Sequence, residues 1–172
     1  TGERVILRAP EAQDTEIFAA WQNDRDIAAL LPYSAALSYN AIENLISGFK
    51  YDNSKFMFII ENEDQIPIGI CLLKDIDWIN STAFIGIVIY ARNCWGKGYG
   101  CDAVKALTSF GLDEINMYNI YTGVPEDNEM AVKCFQNAGY EIEGTLKDRI
   151  SIKGIRKNLI AMSISKDLTG EI

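Results

Sequence analysis

The sequence predicts an α/β fold built on a mixed, mostly antiparallel sheet of six to seven strands with helices on both faces. Short apolar runs with strand alternation recur along the chain, and segments with the apolar spacing of amphipathic helices lie between them. Residues 82–90 are apolar on both faces, which is typical of a central strand. The 172 residues are 48% hydrophobic and 23% charged and show no internal repeat or linker, so a single domain over residues 1–172 is predicted.

The first third of the chain predicts one strand followed by two helices. Residues 5–9 alternate as a strand, and residues 14–21 have the spacing of a short helix, which residues 30–34 interrupt. Asn40, with Glu43 three residues later, is predicted to cap the second helix. The apolar stripe of that helix comprises Ile42, Leu45, Ile46 and Phe49.

The rest of the chain predicts six strands and two helices. The strands are expected at residues 55–61, 68–74, 82–90, 120–124, 140–146 and 157–165. The first two of these form a hairpin around the polar turn at residues 63–65. One helix follows the strand at residues 82–90, and the other follows the next strand and ends at Gly139.

The composition excludes several kinds of chemistry, because the chain has no histidine. A Ser-His-Asp triad, a Cys-His pair and histidine metal sites are excluded, and no metal site is predicted. A general base must therefore be a carboxylate, a tyrosine, a cysteine or solvent held by main-chain groups. The formal net charge of −8 disfavours a nucleic-acid partner and suits a cationic acceptor such as an amine.

The cellular compartment is predicted from cysteine spacing and from the lengths of the apolar runs. The four cysteines show no CxxC spacing, which is typical of reduced thiols in a cytoplasmic protein. The longest apolar run, residues 83–91, is far shorter than the ~18 residues of a membrane-spanning helix. No secretory leader opens the chain, so a cytoplasmic protein without a membrane partner is expected.

The most informative stretch runs from Val88 to Gly100, where an apolar strand ends, a glycine-rich turn follows and an amphipathic helix begins. Free main-chain N–H groups at a helix N-terminus bind anions without a special side chain, so a phosphate-bearing ligand is predicted here. A Walker loop requires GxxxxGK[ST], which does not occur in the chain. A dinucleotide loop requires GxGxxG, and here the third glycine is misplaced, since Gly100 is followed by Cys101.

The segment Trp95-Gly96-Lys97-Gly98-Tyr99-Gly100 resembles the coenzyme A loop of the GCN5-related N-acetyltransferases (GNAT), which reads Q/R-x-x-G-x-G/A. Its tryptophan stands at the position of the polar residue and resembles the branch that contains ribosomal-protein N-terminal acetyltransferases and spermidine acetyltransferases. Residues 5–8, 125–131 and 137–144 also resemble the family, in the same order along the chain. The resemblance covers about residues 5–162. It implies the three-layer GNAT fold and an N-acetyltransferase that uses acetyl-CoA.

The resemblance also implies where acetyl-CoA binds. Main-chain amides of the glycine turn hold the pyrophosphate, and the free edge of the preceding strand pairs with the pantetheine arm. Asn128 corresponds to the family asparagine near the reactive end of the cofactor, with a helix cap as its alternative role. Lys97 either adds positive charge or is solvated. The implied cofactor-binding residues are Ile87, Val88, Ile89, Cys94, Trp95, Gly96, Lys97, Gly98, Tyr99, Gly100, Asn128 and Phe135.

The side chains that many relatives use in catalysis are absent. The base glutamate of the family corresponds to Phe84 or Ile85, its general-acid tyrosine to Phe135, and an alternative serine to Ala131. Two hypotheses stay open: catalysis by positioning and bound water, where orientation supplies on the order of 7–11 kcal/mol, or a non-catalytic module that senses acyl-CoA. No catalytic residue is predicted, and the candidate substitutes are Tyr33, Tyr118, Tyr121, Asp75 and Asp77.

The acceptor is predicted to be a primary amine, either of a small molecule or of a protein N-terminus. Its pocket is expected between the first two helices and the later strands, lined by residues 31–33, Trp78 and residues 149–153. Spermidine-type relatives carry acidic residues around the first two helices. This chain has residues Ser34, Ala35 and Ala36 there, so polyamine specificity is not predicted. A homodimer is expected only because the resemblance to the family implies one.

Overall fold

The computed structural model describes residues 1–28, 37–49 and 54–167. Within these residues the strands are β1 (Ile6–Arg8), β2 (Phe56–Glu61), β3 (Pro67–Asp77), β4 (Thr82–Ile89), β5 (Asn119–Pro125), β6 (Glu141–Ile152) and β7 (Ile155–Ser165). The helices are α1 (Thr15–Gln22), α2 (Arg25–Ala28), α3 (Tyr39–Gly48), α4 (Tyr99–Ser109) and α5 (Glu129–Asn137). Short 3₁₀ turns lie at Ala12–Asp14 and Arg92–Cys94, and a π turn at Phe110–Glu114 extends α4.

The described strands form one seven-stranded sheet in the order β1-β2-β3-β4-β5-β7-β6. Neighbouring strands are antiparallel except β4 and β5, which run parallel. Parallel neighbours need a long crossover connection, and the segment that contains α4 provides it. The predicted α/β fold with a mixed, mostly antiparallel sheet is confirmed.

Apolar layers cover both faces of the sheet. Leu73, Ile85 and Ile120 point to the face that α4 and α5 cover, and they are fully buried there. On the opposite face, Phe18 of α1 and Ile42 of α3 pack against β2 and β3. Burial of each such side chain contributes about 1.5–3 kcal/mol, so these layers hold helices on both faces, as predicted.

A partly buried ion network fastens β1 to its neighbours. The two Nη atoms of Arg8 donate to Asp14 at 2.7 Å, and its Nε donates to Glu61 at 2.6 Å. Asp14 is 3% exposed and also accepts the main-chain N–H of Glu11. Burial by itself would raise the pKa of Asp14, but the hydrogen bonds from Arg8 and Glu11 outweigh it, so this pKa is lowered.

Helix α3 begins earlier than its predicted cap allows. Its N-cap is Ser38, whose hydroxyl accepts a main-chain N–H three residues later at 3.2 Å, so the prediction of Asn40 as the cap is wrong. Ser38 has the extended conformation of a cap, with φ −69° and ψ 157°, and Asn40 therefore falls inside the helix. Of the predicted stripe, Ile42 and Ile46 are buried, whereas Leu45 is exposed.

The structure adds one helix and lengthens two predicted strands. Helix α2 is short, and the carboxylate of Asp24 caps it by accepting two main-chain N–H groups. Strand β3 continues to Asp77 and β6 to Ile152, beyond the predicted ends at residues 74 and 146. The predicted interruption at residues 30–34 lies outside the described residues. No helix in the described part of the chain is long and apolar enough to cross a membrane.

Candidate functional site

Strands β4 and β5 separate in the middle of the sheet. Their paired residues end with Phe84 opposite Tyr121, although β4 continues to Ile89 and β5 to Pro125. A cleft therefore opens between the two strands beyond Phe84 and Tyr121. The free strand edge that the resemblance implies is therefore present on β4.

The edge of β4 that faces the cleft carries unpaired main-chain groups. Thr122 donates its hydroxyl to the carbonyl oxygen of Ile85 at 3.0 Å, so the main-chain polar groups of Ile85 point towards β5. These directions alternate along a strand, and Ile87 and Ile89 therefore also face the cleft, whereas Val88 pairs with β3. Two of the three predicted edge residues thus direct main-chain groups into the cleft.

The glycine turn follows β4 at the open end of the cleft. Gly96 and Gly98 have φ of +70° and +89°, a region that residues with a Cβ rarely adopt. Gly98 is the N-cap of α4, and its carbonyl accepts the N–H of Asp102 at 3.0 Å. Within the described part of the chain, the N–H groups of residues 99–101 have no main-chain acceptor. They form the helix N-terminus at which the sequence predicts a bound anion.

Trp95 connects the turn to the cleft. Its Nε1 donates to the carbonyl oxygen of Ile89 at 2.8 Å, and its side chain remains 41% exposed. This hydrogen bond occupies one acceptor of the β4 edge and leaves both main-chain groups of Ile87 facing the cleft. Cys94 is buried beneath the turn, whereas Lys97 is exposed.

Asn128 and Phe135 belong to the helix that follows β5. Asn128 is the N-cap of α5, and its Oδ1 accepts the N–H of Ala131 at 3.2 Å. The capping role is therefore observed, and the side-chain NH₂ group remains able to donate to a ligand. Phe135 is buried and packs edge to face on Tyr140, with ring centroids 5.0 Å apart. Neither Phe135 nor Ala131 can transfer a proton.

Two of the candidate substitutes for the missing catalytic groups, Tyr121 and Asp75, lie close enough to interact. Tyr121 packs edge to face on Phe84, with ring centroids 5.7 Å apart, on the sheet face away from α4. Burial and the negative charge of Asp75 raise the pKa of Tyr121, so its phenol stays protonated at neutral pH. The phenol of Tyr121 therefore projects from the last residue pair of β4 and β5.

The remaining candidates have other surroundings. The carboxylate of Asp77 accepts main-chain N–H groups of the β3–β4 turn at 2.9 and 3.0 Å, which is a structural role. Tyr118 is 46% exposed just before β5. Of the predicted acceptor pocket, Trp78 is 50% exposed in the β3–β4 turn, and residues 149–153 lie at the β6–β7 hairpin. Tyr33 and the other residues of the segment 31–36 lie outside the described residues.

The split between the parallel central strands and the helix N-terminus at its open end are the features that the resemblance to acyl-CoA-dependent transferases implies. Residues 4–141 match the acetyltransferase (GNAT) domain family, and the chain belongs to that family. It is an acetyl-CoA-dependent N-acetyltransferase, with acetyl-CoA as its cosubstrate. The predictions of family, fold, activity and cofactor are confirmed.

Relatives of this chain cover nearly all of its length. The spermidine N(1)-acetyltransferase of Vibrio cholerae serotype O1 is 26% identical over 161 residues, which are 94% of this chain and 92% of the relative. The spermidine N(1)-acetyltransferase of Escherichia coli K12 is 28% identical over 93% of this chain and 85% of the relative. The crystal structure of the V. cholerae enzyme in complex with CoA and spermine superposes with a TM-score of 0.87, at 26% identity, covering 94% and 95% of the two chains.

Proposed function

We propose that the chain transfers the acetyl group of acetyl-CoA to the primary amine of a small cationic molecule, at the point where the β4–β5 pairing ends. The cleft that opens beyond Phe84 and Tyr121 carries this proposal. It gives the thioester a place between two strands, with main-chain donors along one side and the N-terminus of α4 at its open end. Both features bind a ligand through main-chain atoms, so cofactor binding does not depend on the missing side chains.

The cofactor contacts follow from this geometry. The N–H groups of the turn and of the first turn of α4 bind the pyrophosphate, and Ile87 and Ile89 pair with the pantetheine arm. Asn128 donates its side-chain NH₂ near the reactive end, while Val88 holds the edge in place through its pairing with β3. The remaining predicted contacts line the same path, namely Cys94, Trp95, Gly96, Lys97, Gly98, Tyr99, Gly100 and Phe135.

The proposed chemistry is a direct transfer. The neutral amine attacks the thioester carbon, an oxyanion forms, and the C–S bond breaks to release the coenzyme A thiolate. A main-chain N–H on the cleft edge of β4 donates to the oxyanion. Tyr121 gives its proton to the thiolate and regains one, through water, from the amine nitrogen that has been acylated. The raised pKa of Tyr121 supports this role, because it keeps the phenol protonated before transfer.

Two carboxylates beside the cleft favour a cationic acceptor, although Lys74 pairs with one of them, Asp75, at 3.6 Å and lies 4.8 Å from the centroid of the Phe84 ring. Asp75 is close enough to Tyr121 to raise its pKa. Glu143 accepts from Ser163 at 2.6 Å, and Ser163 pairs directly with Tyr121 across β5 and β7. The net charge of −8 also attracts cations. The spermidine acetyltransferases among the relatives support diamines and polyamines as the first class to test.

Three broader features belong to the same proposal. We assign one domain to residues 1–172, and the single sheet that runs from β1 to β7 in the described part of the chain supports this assignment. The location is cytoplasmic, which the free thiols of all four cysteines support. The chain forms a homodimer through the β6–β7 hairpin, whose Ile142 and Ile155 are 50% and 65% exposed. Light scattering tests the dimer, and a mass of 19.2 kDa at micromolar concentration would contradict it.

A panel of acceptors tests the activity. Acetyl-CoA is mixed with a diamine, a polyamine, a neutral amino acid amide or an unblocked peptide, and the released thiol is compared with the acetylated product measured by mass spectrometry. We expect turnover with the cationic amines. Cofactor binding without turnover of any amine would support the acyl-CoA sensor instead, and a lack of binding at millimolar acetyl-CoA would exclude both.

A matched pair of tyrosine variants tests the proposed chemistry. Tyr121→Phe removes the proposed proton donor and should lower kcat by roughly 100-fold with little change in the KM for acetyl-CoA. Tyr118→Phe removes a hydroxyl just before the same strand and should retain the activity. Equal kcat values for the two variants would exclude Tyr121 as the acid.

A further inference from the structure

We propose that Arg4 is a positioning residue for the cofactor turn, acting through the carbonyl oxygen of Lys97. This inference rests on the proposed function, since it concerns how tightly the turn binds acetyl-CoA. Arg4 lies outside every element that the sequence analysis assigned to the cofactor. Three segments that are distant along the chain meet at its guanidinium group.

The guanidinium of Arg4 bridges the turn and a carboxylate. Its Nη1 donates to the carbonyl oxygen of Lys97, and its Nε donates to Glu63 Oε1 at 3.0 Å. The other oxygen of Glu63 accepts the hydroxyl of Tyr99, the first residue of α4, at 2.8 Å. The guanidinium also stacks on the Tyr99 ring, 4.6 Å from its centroid. We call this set of contacts, which joins Arg4, Glu63 and Tyr99 to one another and Arg4 to the carbonyl of Lys97, the loop clasp.

The main chain that carries Arg4 is itself fixed to α4. The carboxylate of Asp102 accepts the N–H groups of Glu3, Arg4 and Val5 at 3.1, 2.7 and 2.9 Å. A Cβ at Gly2 would lie 2.2 Å from Asp102 Oδ2, so glycine at this position lets the segment approach the carboxylate this closely. The clasp therefore connects the turn to a segment whose main chain is hydrogen-bonded to the first turn of α4.

The location of the contact explains why it matters for binding. Lys97 lies between Gly96 and Gly98, and both glycines have positive φ. Glycine is free to leave such a conformation, and a flexible loop must lose that freedom when it binds a ligand. Because the clasp holds the carbonyl between the two glycines, the turn loses this freedom on folding, before the cofactor arrives. The clasp should therefore set the affinity for acetyl-CoA and leave the rate of the transfer step unchanged.

Three substitutions separate the clasp from simple attraction between Arg4 and phosphate. Arg4→Ala should raise the KM and Kd for acetyl-CoA roughly tenfold, a factor that corresponds to about 1.4 kcal/mol, with kcat at saturating cofactor unchanged. Arg4→Lys keeps the positive charge but cannot donate to Lys97 and Glu63 together, so it should resemble Arg4→Ala. Glu63→Ala removes a negative charge beside the turn. The clasp predicts weaker binding for Glu63→Ala, whereas phosphate attraction predicts tighter binding.

The control is Lys166→Ala, which also removes a positive charge. Lys166 donates to Asn116 at 2.9 Å and lies just beyond β7, beside the start of β5, so this variant should bind acetyl-CoA like the unmodified chain. Titration calorimetry and steady-state kinetics measure all four variants, and thermal unfolding confirms that each is folded. Tyr99→Phe, which keeps the ring and loses only the hydroxyl, serves if Arg4→Ala does not fold, and about a threefold rise in Kd is then expected.

The outcomes are separable from those of the proposed function. Unchanged affinity in Arg4→Ala, full affinity in Arg4→Lys, or tighter binding in Glu63→Ala would each overturn the clasp while the unmodified chain still binds acetyl-CoA. Failure of the unmodified chain to bind acetyl-CoA would overturn the proposed function and the clasp with it. Weaker binding in all three variants, with kcat retained, would establish the clasp.

Discussion

Alanine substitution at Gly98 and at Gly100 should change stability in opposite directions. At Gly98 the nearest atom to an added Cβ would be Arg4 Nη1 at 3.7 Å, so the strain comes only from the φ of +89°. A residue with a Cβ loses roughly 1–2 kcal/mol in this region, and Gly98→Ala should lose that much free energy of unfolding. Gly100 lies inside α4, and its Cβ would make an ordinary contact with Ile89 at 3.7 Å. Gly100→Ala should therefore gain about 0.5–1 kcal/mol.

Urea unfolding followed by circular dichroism measures both changes. With a slope of about 2 kcal/mol per molar urea, Gly98→Ala should lower the midpoint by roughly 0.5–1 M, and Gly100→Ala should raise it by roughly 0.25–0.5 M. Gly98→Asn is an informative third variant. Asparagine adopts positive φ more readily than alanine, and it should recover part of the loss. Equal destabilisation by Gly98→Ala and Gly100→Ala would refute the reasoning, because backbone strain at residue 98 would not be its cause.

Three further outcomes are expected from buried contacts. Asp14→Asn should lower the free energy of unfolding at pH 7 by about 3 kcal/mol, since it breaks a largely buried pair with Arg8. Because folding lowers the pKa of Asp14, this stabilisation is present above about pH 4 and is lost as the pH falls through the folded pKa. In urea titrations from pH 7 to 3, the difference in free energy of unfolding between the unmodified chain and Asp14→Asn should therefore shrink. Gly69→Ala places a Cβ 2.3 Å from the carbonyl oxygen of Val88. Urea unfolding should show a loss of about 3 kcal/mol in the free energy of unfolding, and a loss below about 0.5 kcal/mol would contradict this. Thr122→Val removes the hydrogen bond to a β4 carbonyl at 3.0 Å, and thermal unfolding should report a loss of about 1–3 kcal/mol.

Apolar alternation predicts most of the strands, and the differences arise where polar residues interrupt a strand that its partner continues. The sequence predicts the end of β3 at residue 74, before the polar Asp75. In the structure Asp75 takes a φ of +53° within an irregular stretch, and the pairing resumes with Asp77 opposite Thr82. Likewise, β6 passes Asp148, with φ +49°, before the hairpin turns. Such irregular positions depend on the neighbouring strand, which spacing along the chain does not reveal.

The cofactor turn is the part of the site that the sequence predicts best, because positive φ at Gly96 and Gly98 requires a residue type that is visible in the sequence. The contacts around it join residues that are distant along the chain. Thr122 meets a β4 carbonyl 37 residues away, and Arg4 meets the turn 93 residues away. The order of the strands brings these groups together, so no local pattern indicates them. The meeting of Tyr121 with Phe84 has the same origin, since it depends on the parallel pairing of β4 with β5.

The separation of β4 from β5 has a consequence for how such enzymes diverge. The proposed contacts to acetyl-CoA use peptide N–H and C=O groups, which every residue along the strand carries whatever its side chain. Substitutions on the sheet face away from α4, where Phe84 and Tyr121 lie, can therefore accumulate without loss of the cosubstrate. A chain that shares only 26% of its residues with the V. cholerae enzyme keeps its fold at a TM-score of 0.87. Selection for a new acetyl acceptor can thus act on one face of the sheet while acetyl-CoA is retained as the acetyl donor.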